Sequence, residues 1–352
     1  MLNRLLTFRI SAFSRLCLIG SLLIFALPSQ AGRADQVDYP WVYLRGGELP
    51  AASAQLVEVI AVGDVMPGRG LVGKHGIFDH VAVELKGADL AIGNLEGVMT
   101  VDPTVLTTPS LIIPPQAAYK LADAGFDLLG LANNHSQDSG PLGLAKTAGI
   151  LREAGIQTIN PPNPLIHEFQ GLKIAFLTWN EITPADSLLT EETGLLQALR
   201  AVRRRVDVVI VMVHWGQEYQ RHPSFAQRRL ANQLLQAGAD VILGTHPHVV
   251  QDIAIVKPEK PENRPKLVAY SLGNFVFDQG WDDTAQGLAL RLFFDRQGLR
   301  AAQALPLWTT PRPRWMAPEQ ASAPVSYTHL RAHETVTLIA YAVFCLKRGG
   351  GG

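Results

Sequence analysis

The sequence predicts an α/β protein built around parallel βαβ units. Short apolar runs rich in β-branched residues recur along the chain, as at residues 57–62 and 206–213. Helix-like stretches of about 10–15 residues separate most of these runs, which is the pattern of strand–helix–strand crossovers. The last runs, at residues 267–270 and 288–294, have no clear helix between them. They predict a second sheet that is partly antiparallel.

The elements are predicted in the following order along the chain. Strands are predicted at residues 57–62, 89–92, 127–131, 172–178, 206–213, 241–243, 267–270 and 288–294. Helices are predicted at residues 116–124, 142–154, 194–204 and 225–237. Gly155 and Gly238 follow two of these helices, and glycine is a common residue at the end of a helix.

Composition excludes several classes of protein. The chain has 352 residues, of which 47% are hydrophobic and 18% charged, and its formal net charge is zero. This balance gives no reason to expect nucleic acid as a partner, although a local site can still bind an anion. The two cysteines, Cys17 and Cys345, lie near the ends of the chain. The body therefore needs no disulfide and no thiolate metal site.

The amino-terminal segment has the pattern of a signal peptide. Three arginines precede an apolar run at residues 17–27, and a small-x-small site ends at Ala31. We expect this segment to direct the body to the periplasm or another extracytoplasmic space. An uncleaved membrane anchor is the alternative interpretation.

The remaining divisions follow from changes in composition. Residues 326–352 include YTHLRAHET, which resembles the translation of a sequencing adapter, and end in a glycine run. The chain is thus predicted to comprise a signal peptide or anchor (1–31), a linker (32–55), a folded domain (56–310), a proline-rich end (311–325) and a non-native tail (326–352).

Five predicted strands are each followed by polar residues: Asp64, Asn94 with Glu96, Asn133 with Asn134 and His135, His214, and His246 with His248. In open α/β sheets such positions meet at the carboxyl edge. Imidazoles, carboxylates and an amide oxygen together suit Mn, Fe or Zn, and about six such ligands suit two divalent ions. Each cluster alone could instead be turn or helix-cap chemistry. Their recurrence favours a metal site for hydrolysis or transfer at a phosphoryl or acyl centre.

Six ordered motifs resemble those of the CapA-like poly-gamma-glutamate capsule synthesis family. They are GD-x-M, GNLE, NNH-x-x-D-x-G, HWG-x-EY, HPHV-x-Q and YSLGNF-x-F, and they span residues 57–294. This family is related to the calcineurin-like metallophosphoesterases. The resemblance therefore implies a four-layer α/β/β/α sandwich of the metallophosphoesterase type.

The resemblance also implies roles for individual residues. The implied metal ligands are Asp64 and His248 for one ion, Asn134, His214 and His246 for a second, and Glu96 between them. His135 is implied as a general acid or transition-state stabiliser, with Asp138 as its orienting partner. The expected contacts on the substrate side are Arg69, Asn94, Trp215, Glu218, Tyr219 and Gln251. Met66 departs from the metallophosphoesterase pattern, because an imidazole usually stands at this position.

Three functions are compatible with the sequence. The first is a metal-dependent hydrolase or transferase that acts on an anionic capsule polymer or its precursor through an amide or phosphate-ester bond. The second is a non-catalytic polymer-binding or assembly subunit of the membrane capsule machinery. The third is a phosphodiesterase unrelated to capsule.

Overall fold

The computed structural model describes residues 39–51, 54–101, 111–161, 163–182, 185–256, 264–310 and 312–317. The predicted signal segment and the predicted non-native tail lie outside this part of the chain. Among the described residues, no helix has the length and apolar character needed to cross a membrane.

The described residues form two large sheets and five α-helices. The strands of the larger sheet are β1 (Trp41–Leu44), β2 (Val57–Val65), β3 (Leu90–Leu95), β6 (Leu128–Gly130), β7 (Gln157–Ile159), β14 (Asn274–Val276), β15 (Gln286–Asp295), β16 (Gly298–Trp308) and β17 (Arg314–Trp315). Those of the smaller sheet are β8 (Leu165–Phe169), β9 (Leu172–Asn180), β10 (Val208–His214), β11 (Val241–Thr245), β12 (Ile253–Val256) and β13 (Lys266–Ala269). A short pair joins β4 (Val98–Met99) and β5 (Ile112–Ile113). The helices are α1 (Ala82–Gly87), α2 (Ala117–Ala124), α3 (Gly140–Glu153), α4 (Ala185–Arg203) and α5 (Phe225–Ala237).

Each sheet contains four neighbouring parallel strands next to antiparallel ones. The larger sheet has the order β1-β16-β15-β2-β3-β6-β7, in which β2, β3, β6 and β7 run parallel. The smaller sheet has the order β12-β13-β11-β10-β9-β8, in which β9, β10, β11 and β13 run parallel. The prediction of parallel βαβ units is therefore correct for these four strands of each sheet.

Three hydrophobic clusters arrange these elements in four layers. Alternate residues of β2 face opposite sides: Ile60 packs with helices α1 to α3, whereas Val59 packs between the two sheets. On the other side of the smaller sheet, Val211 of β10 packs against Leu199 of α4 and Leu234 of α5. The order helix, sheet, sheet, helix is the predicted α/β/β/α sandwich.

Local sequence sets the bounds of α5. The Ser224 hydroxyl accepts a hydrogen bond from the Gln227 amide, and the Gln227 side chain accepts one from the Ser224 amide. This reciprocal arrangement is a capping box, which satisfies two amides at the start of the helix. At the other end, Gly238 has a φ of 122° and ends the helix where it was predicted to end.

Two predicted boundaries differ from the structure. Strand β1 lies within the predicted linker at 32–55, yet it pairs with β16 at the edge of the larger sheet. Strand β17 lies within the predicted proline-rich end and also pairs with β16. Both strands are short, at four and two residues, and they take their hydrogen bonds from β16, which is distant from β1 in the sequence.

Candidate metal centre

The polar clusters meet where the parallel strands of both sheets end. Asp64 and Asn94 occupy neighbouring register positions on β2 and β3, and His214 is the last residue of β10, opposite Thr245 of β11. The strands run further than predicted, so Asp64, Asn94 and His214 lie inside their ends rather than after them. Backbone pairing fixes these three side chains at the carboxyl edge of the sheets.

The turn after β11 supplies two more imidazoles. His246 and His248 have φ values of 94° and 58°, in the left-handed region that non-glycine residues rarely occupy. The His246 amide donates a hydrogen bond to Asp64 Oδ2 at 3.2 Å. Each such backbone conformation costs on the order of 1–3 kcal/mol, and strain of this kind concentrates at functional sites.

A third segment reaches the same place from the other side of β2. The Asp64 amide donates to the Gly273 carbonyl at 3.0 Å. Gly63 permits this approach, since a Cβ atom there would collide with the Gly273 carbonyl oxygen. The next residue, Asn274, places its Oδ1 3.0 Å from His248 Nδ1.

His248 lies between two buried carboxylates. Its Nδ1 is 3.4 Å from Asp64 Oδ2, and its Nε2 is 3.6 Å from Glu96 Oε1. His214 Nε2 lies 4.0 Å from the same Glu96 oxygen. Three sets of side chains can each bring their donor atoms within 4.8 Å of one another: Asp64, Glu96 and His248; Glu96, His214 and His246; and Glu218, His246 and His248.

Glu96 provides the test of whether these residues suit a cation. Its side chain is fully buried, and neither carboxylate oxygen has a hydrogen-bond partner within the described part of the chain. Burial, together with the negative charge of Asp64, raises the pKa of Glu96 well above its ordinary value. A buried carboxylate without donors is unfavourable unless a positive charge compensates it. The imidazole, carboxylate and amide donors around it therefore suit a divalent cation.

The histidines of the cluster have different protonation preferences. Burial lowers the pKa of His214 well below its usual range. Burial and the charge of His248 lower the pKa of His246 to about 4. Burial alone would lower the pKa of His248 too, but Glu96 and Asp64 raise it to about 9. His214 and His246 are thus neutral near pH 7, which is the form that binds metals.

An amide network supports the cluster. Asn94 Nδ2 donates to Asp64 Oδ1 at 2.8 Å, and Asn133 Nδ2 donates to Asn94 Oδ1 at 3.1 Å. Asn134 Oδ1 lies 2.8 Å from His214 Nε2. Asn94, predicted to contact substrate, is buried and holds Asp64 instead.

His135 and Asp138 form a pair beside the cluster. His135 Nδ1 is 3.0 Å from Asp138 Oδ2, and the same oxygen accepts a hydrogen bond from the Leu111 amide at 2.7 Å. Asp138 is buried and His135 is partly exposed. The structure therefore has the pairing that the predicted roles of these two residues require.

The predicted substrate contacts have different outcomes. Tyr219 is 44% exposed and its ring centroid lies 6.2 Å from that of His248, so it stands at the rim of the cluster. Glu218 offers a carboxylate to His246 and His248 and is thus a further candidate metal ligand. Arg69 is engaged in an ion pair with Asp278.

Two of the residues predicted to contact substrate are buried in this structure. Trp215 is fully buried in the cluster that α4 and α5 cover, and its Nε1 donates to the Tyr270 carbonyl at 2.7 Å. Gln251 is also buried, and its amide joins Gln227 at 2.9 Å to the Gln220 carbonyl at 2.7 Å. Neither side chain is available to a substrate.

Sequence reasoning placed Asn133 at the carboxyl edge without giving it a role, and it missed Thr245 and Asn274 as parts of the site. Thr245 Oγ1 lies 3.0 Å from His214 Nδ1, and Asn274 Oδ1 lies 3.0 Å from His248 Nδ1. The NNH and GNF motifs contain the two asparagines. An amide shortly after a predicted strand is the signal that could have identified the role of Asn133, whereas no such signal marks Asn274.

The layer order is that of a metallophosphoesterase-type fold, and the buried acid–imidazole cluster lies at the carboxyl ends of its strands. The fold is similar to that of a solved structure described as a novel phosphatase from Mycoplasma pneumoniae. The TM-score is 0.50 at 18% sequence identity, and the match covers 72% of this chain and 94% of that one. At this level of sequence identity, the similarity shows that the two proteins share a fold and nothing more.

The sequence comparison then gives the family. The sequence profile described as bacterial capsule synthesis protein PGA_cap matches residues 58–279, and the chain belongs to this family. It is 30% identical over 277 residues to the capsule biosynthesis protein CapA of Bacillus anthracis, covering 70% of this chain and 66% of that protein. It is 29% identical over 272 residues to the PGA biosynthesis protein CapA of Bacillus subtilis, covering 70% of each.

Proposed function

We propose that this capsule synthesis protein is a metal-dependent hydrolase or transferase that acts on an anionic polymer or its precursor. The observation that carries the proposal is the buried Glu96 carboxylate, which lacks hydrogen-bond donors but lies among three imidazoles and Asp64. An assembly subunit without chemistry has no need for this arrangement, since an unpaired buried carboxylate lowers stability.

The residues that would hold two divalent ions of Mn, Fe or Zn are Asp64, Glu96, Asn134, His214, His246 and His248. When bound, such ions neutralise developing negative charge and lower the pKa of water. Asp138 accepts a hydrogen bond from His135 Nδ1, which leaves His135 Nε2 as the atom that can give a proton to a leaving group. This combination of metal ligands and His135 suits the cleavage or transfer of an amide or a phosphate-ester bond.

The test uses a panel of substrates with different scissile bonds and a matched pair of variants. The full chain, loaded with Mn²⁺ or Zn²⁺, is assayed on p-nitrophenyl phosphate, bis-p-nitrophenyl phosphate, γ-glutamyl-p-nitroanilide and poly-γ-glutamate. We expect turnover of at least one class of substrate, the phosphate esters or the amides. His135→Ala should lower it about a hundredfold or more while bound metal is retained. His222→Ala, at an exposed histidine outside the cluster, should leave it unchanged.

A second candidate function is supported by Met66. In this protein Met66 is fully buried in the hydrophobic cluster under α1 to α3, where the related enzymes usually offer an imidazole. One ion would then have fewer ligands, as expected of a polymer-binding subunit. Metal analysis separates the two functions, because about two ions per chain would support the enzyme and no bound ion would support this subunit.

We also propose that residues 1–31 direct the protein out of the cytoplasm, where it would meet the membrane-bound capsule machinery. The support is the basic leader followed by an apolar run and a small-x-small site. Mass spectrometry of the protein from its native cells should find Gly32 at the amino terminus. A chain that keeps the apolar run and stays with the membrane would instead identify an anchor.

A further inference from the structure

Glu218 lies on the exposed side of the metal cluster, in the loop that follows β10. Its carboxylate, His246 and His248 can each bring one donor atom within 4.8 Å of the others. Glu218 is exposed, whereas both imidazoles are buried. The proposed ligand set of the two ions does not include this carboxylate, and the motifs place it only on the substrate side.

The backbone holds this loop against the turn that carries the two imidazoles. The Trp215 amide donates to the Thr245 carbonyl at 3.1 Å, and the Tyr219 amide donates to the Pro247 carbonyl at 2.8 Å. Tyr219 has a φ of 62°, a left-handed conformation that is unfavourable in a residue other than glycine. Two backbone contacts therefore fix the position of Glu218, and the loop keeps this position despite local strain.

The spacing between Glu218 and the imidazoles suits an ion between them. Glu218 takes part in none of the ion pairs found among the described residues, although its carboxylate comes near both rings. Nδ1 of His246 is buried and has no hydrogen-bond partner in the same part of the chain. A divalent cation would interact favourably with both the carboxylate and the imidazoles.

The arrangement adds a ligand rather than a third ion. His248 Nδ1 donates to Asn274 Oδ1, so Nε2 is the ring nitrogen that keeps its lone pair. That nitrogen binds one ion, although His248 belongs to two of the donor sets, one with Glu218 and one with the inner carboxylates of Asp64 and Glu96. The two sets therefore share the ion that His248 binds, which we call the first ion.

The first ion is the one that needs another donor. Glu96 also belongs to the donor set of the second ion, so it does not serve the first ion alone. Met66, two residues after Asp64, has neither nitrogen nor oxygen in its side chain and is fully buried in the hydrophobic cluster. Asp64 and His248 are then the donors that serve only the first ion, fewer than the roughly three to four protein donors of a zinc site.

We propose that Glu218 is a ligand of the first ion and supplies the donor that this ion lacks. The inference rests on the proposed function for the presence of two ions, and it adds a residue to their ligand set. Because Glu218 is exposed, its loss should lower the affinity for the first ion without disturbing the packing between layers.

The experiment compares Glu218→Ala with Gln217→Ala, which changes the preceding exposed residue of the same loop. Each full chain is stripped with EDTA and titrated with Mn²⁺ or Zn²⁺ by calorimetry, and circular dichroism checks its fold. We expect Glu218→Ala to bind one of the two ions at least about tenfold more weakly, since even the loss of a ligand's hydrogen-bond partner has an effect of that size. Gln217→Ala should bind both ions as the wild type does.

A second comparison identifies which ion is affected. His214→Ala removes a ligand of the second ion only, so the ion that remains is the first. Adding Glu218→Ala to this variant should lower the affinity for the remaining ion at least about tenfold. Adding Gln217→Ala should leave that affinity unchanged.

A loss of at least about tenfold in both comparisons supports the proposal. Wild-type affinity for both ions in Glu218→Ala overturns it, as does an unchanged affinity when Glu218→Ala is added to His214→Ala. A wild-type chain that binds no metal overturns it as well. Neither comparison measures turnover, so the assignment of Glu218 can fail in a chain that cleaves a substrate, and it can hold in a chain that cleaves none.

Discussion

Asn274 Oδ1 lies 3.0 Å from Nδ1 of His248, although Asn274 belongs to the larger sheet and His248 follows β11 of the smaller sheet. In this contact Nδ1 donates to the amide oxygen, and Nε2, 3.6 Å from Glu96 Oε1, is the ring nitrogen that faces the rest of the cluster. Asn274 is itself held, because its Nδ2 donates to Gln279 Oε1 and to the Thr284 carbonyl. Such partners fix the orientation of metal-binding imidazoles.

Asn274→Ala should therefore weaken metal binding without removing any ligand. We expect the affinity for Mn²⁺ or Zn²⁺ to fall about 10–100-fold, which is typical when the partner of a metal-binding histidine is lost. Calorimetric titration of the metal-free chain measures this directly. Asn163→Ala is the matched control at an exposed asparagine, and an unchanged affinity in Asn274→Ala would contradict the orienting role.

His214→Ala and His246→Ala should each remove bound metal while the fold persists. Both side chains lie at strand ends, where their loss removes ligands rather than the packing between layers. Metal analysis by mass spectrometry and circular dichroism of each variant are the measurements. His222→Ala serves as control because this imidazole is exposed and lies outside the cluster. Full metal content in both variants would refute the proposed ligand set.

Glu96→Gln should lower the pKa of His248 and weaken metal binding. Without metal, the Glu96 charge is the first of the causes that raise the pKa of His248 to about 9, so its loss should bring that pKa down. With metal, loss of the negative charge should lower the affinity, and the stabilising effect of added Mn²⁺ should shrink. NMR titration of His248 in EDTA and urea unfolding with and without Mn²⁺ are the two measurements. An unchanged His248 pKa in the variant would contradict the proposed charge interaction.

Glu58→Ala should destabilise the larger sheet strongly. Glu58 Oε1 on β2 lies 2.9 Å from Arg291 Nε on β15, and both side chains are less than a tenth exposed. Removing the carboxylate leaves a buried guanidinium without its counter-charge, which costs about 3–5 kcal/mol.

The exposed pair of Lys173 and Glu168, 3.8 Å apart, is the comparison for that variant. Glu168→Ala should cost less than about 1 kcal/mol, since solvent screens exposed charges. In urea unfolding, the loss in free energy of unfolding should thus be several-fold larger for Glu58→Ala than for Glu168→Ala. Equal losses would show that burial does not govern the Glu58 pair.

The strand ends that carry the cluster were predictable because strongly apolar strands dominate the local sequence. The seven residues of β10 are all buried and mostly β-branched, and the polar residue that ends such a strand must lie at the edge of the sheet. The four-layer order came from the resemblance and is confirmed by the packing on both faces of β2.

Proximity in sequence misled the prediction for Trp215. Successive residues in an extended chain face opposite sides, so the neighbour of His214 packs toward α4 and α5. Asn274 failed for a different reason, because its role depends on contact with a segment 26 residues earlier that no local pattern encodes. The edge strand β1 likewise owes its structure to β16, more than 250 residues away.

The position of β15 and β16 has a consequence for recombinant work. The family match ends at residue 279, yet both hairpin strands come later and insert between β1 and β2. A fragment trimmed to residues 58–279 would leave residues 58–61 of β2 without their β15 partners and would uncover the apolar flank of this strand. Such a truncated piece would tend to associate through β2, the strand that bears Asp64.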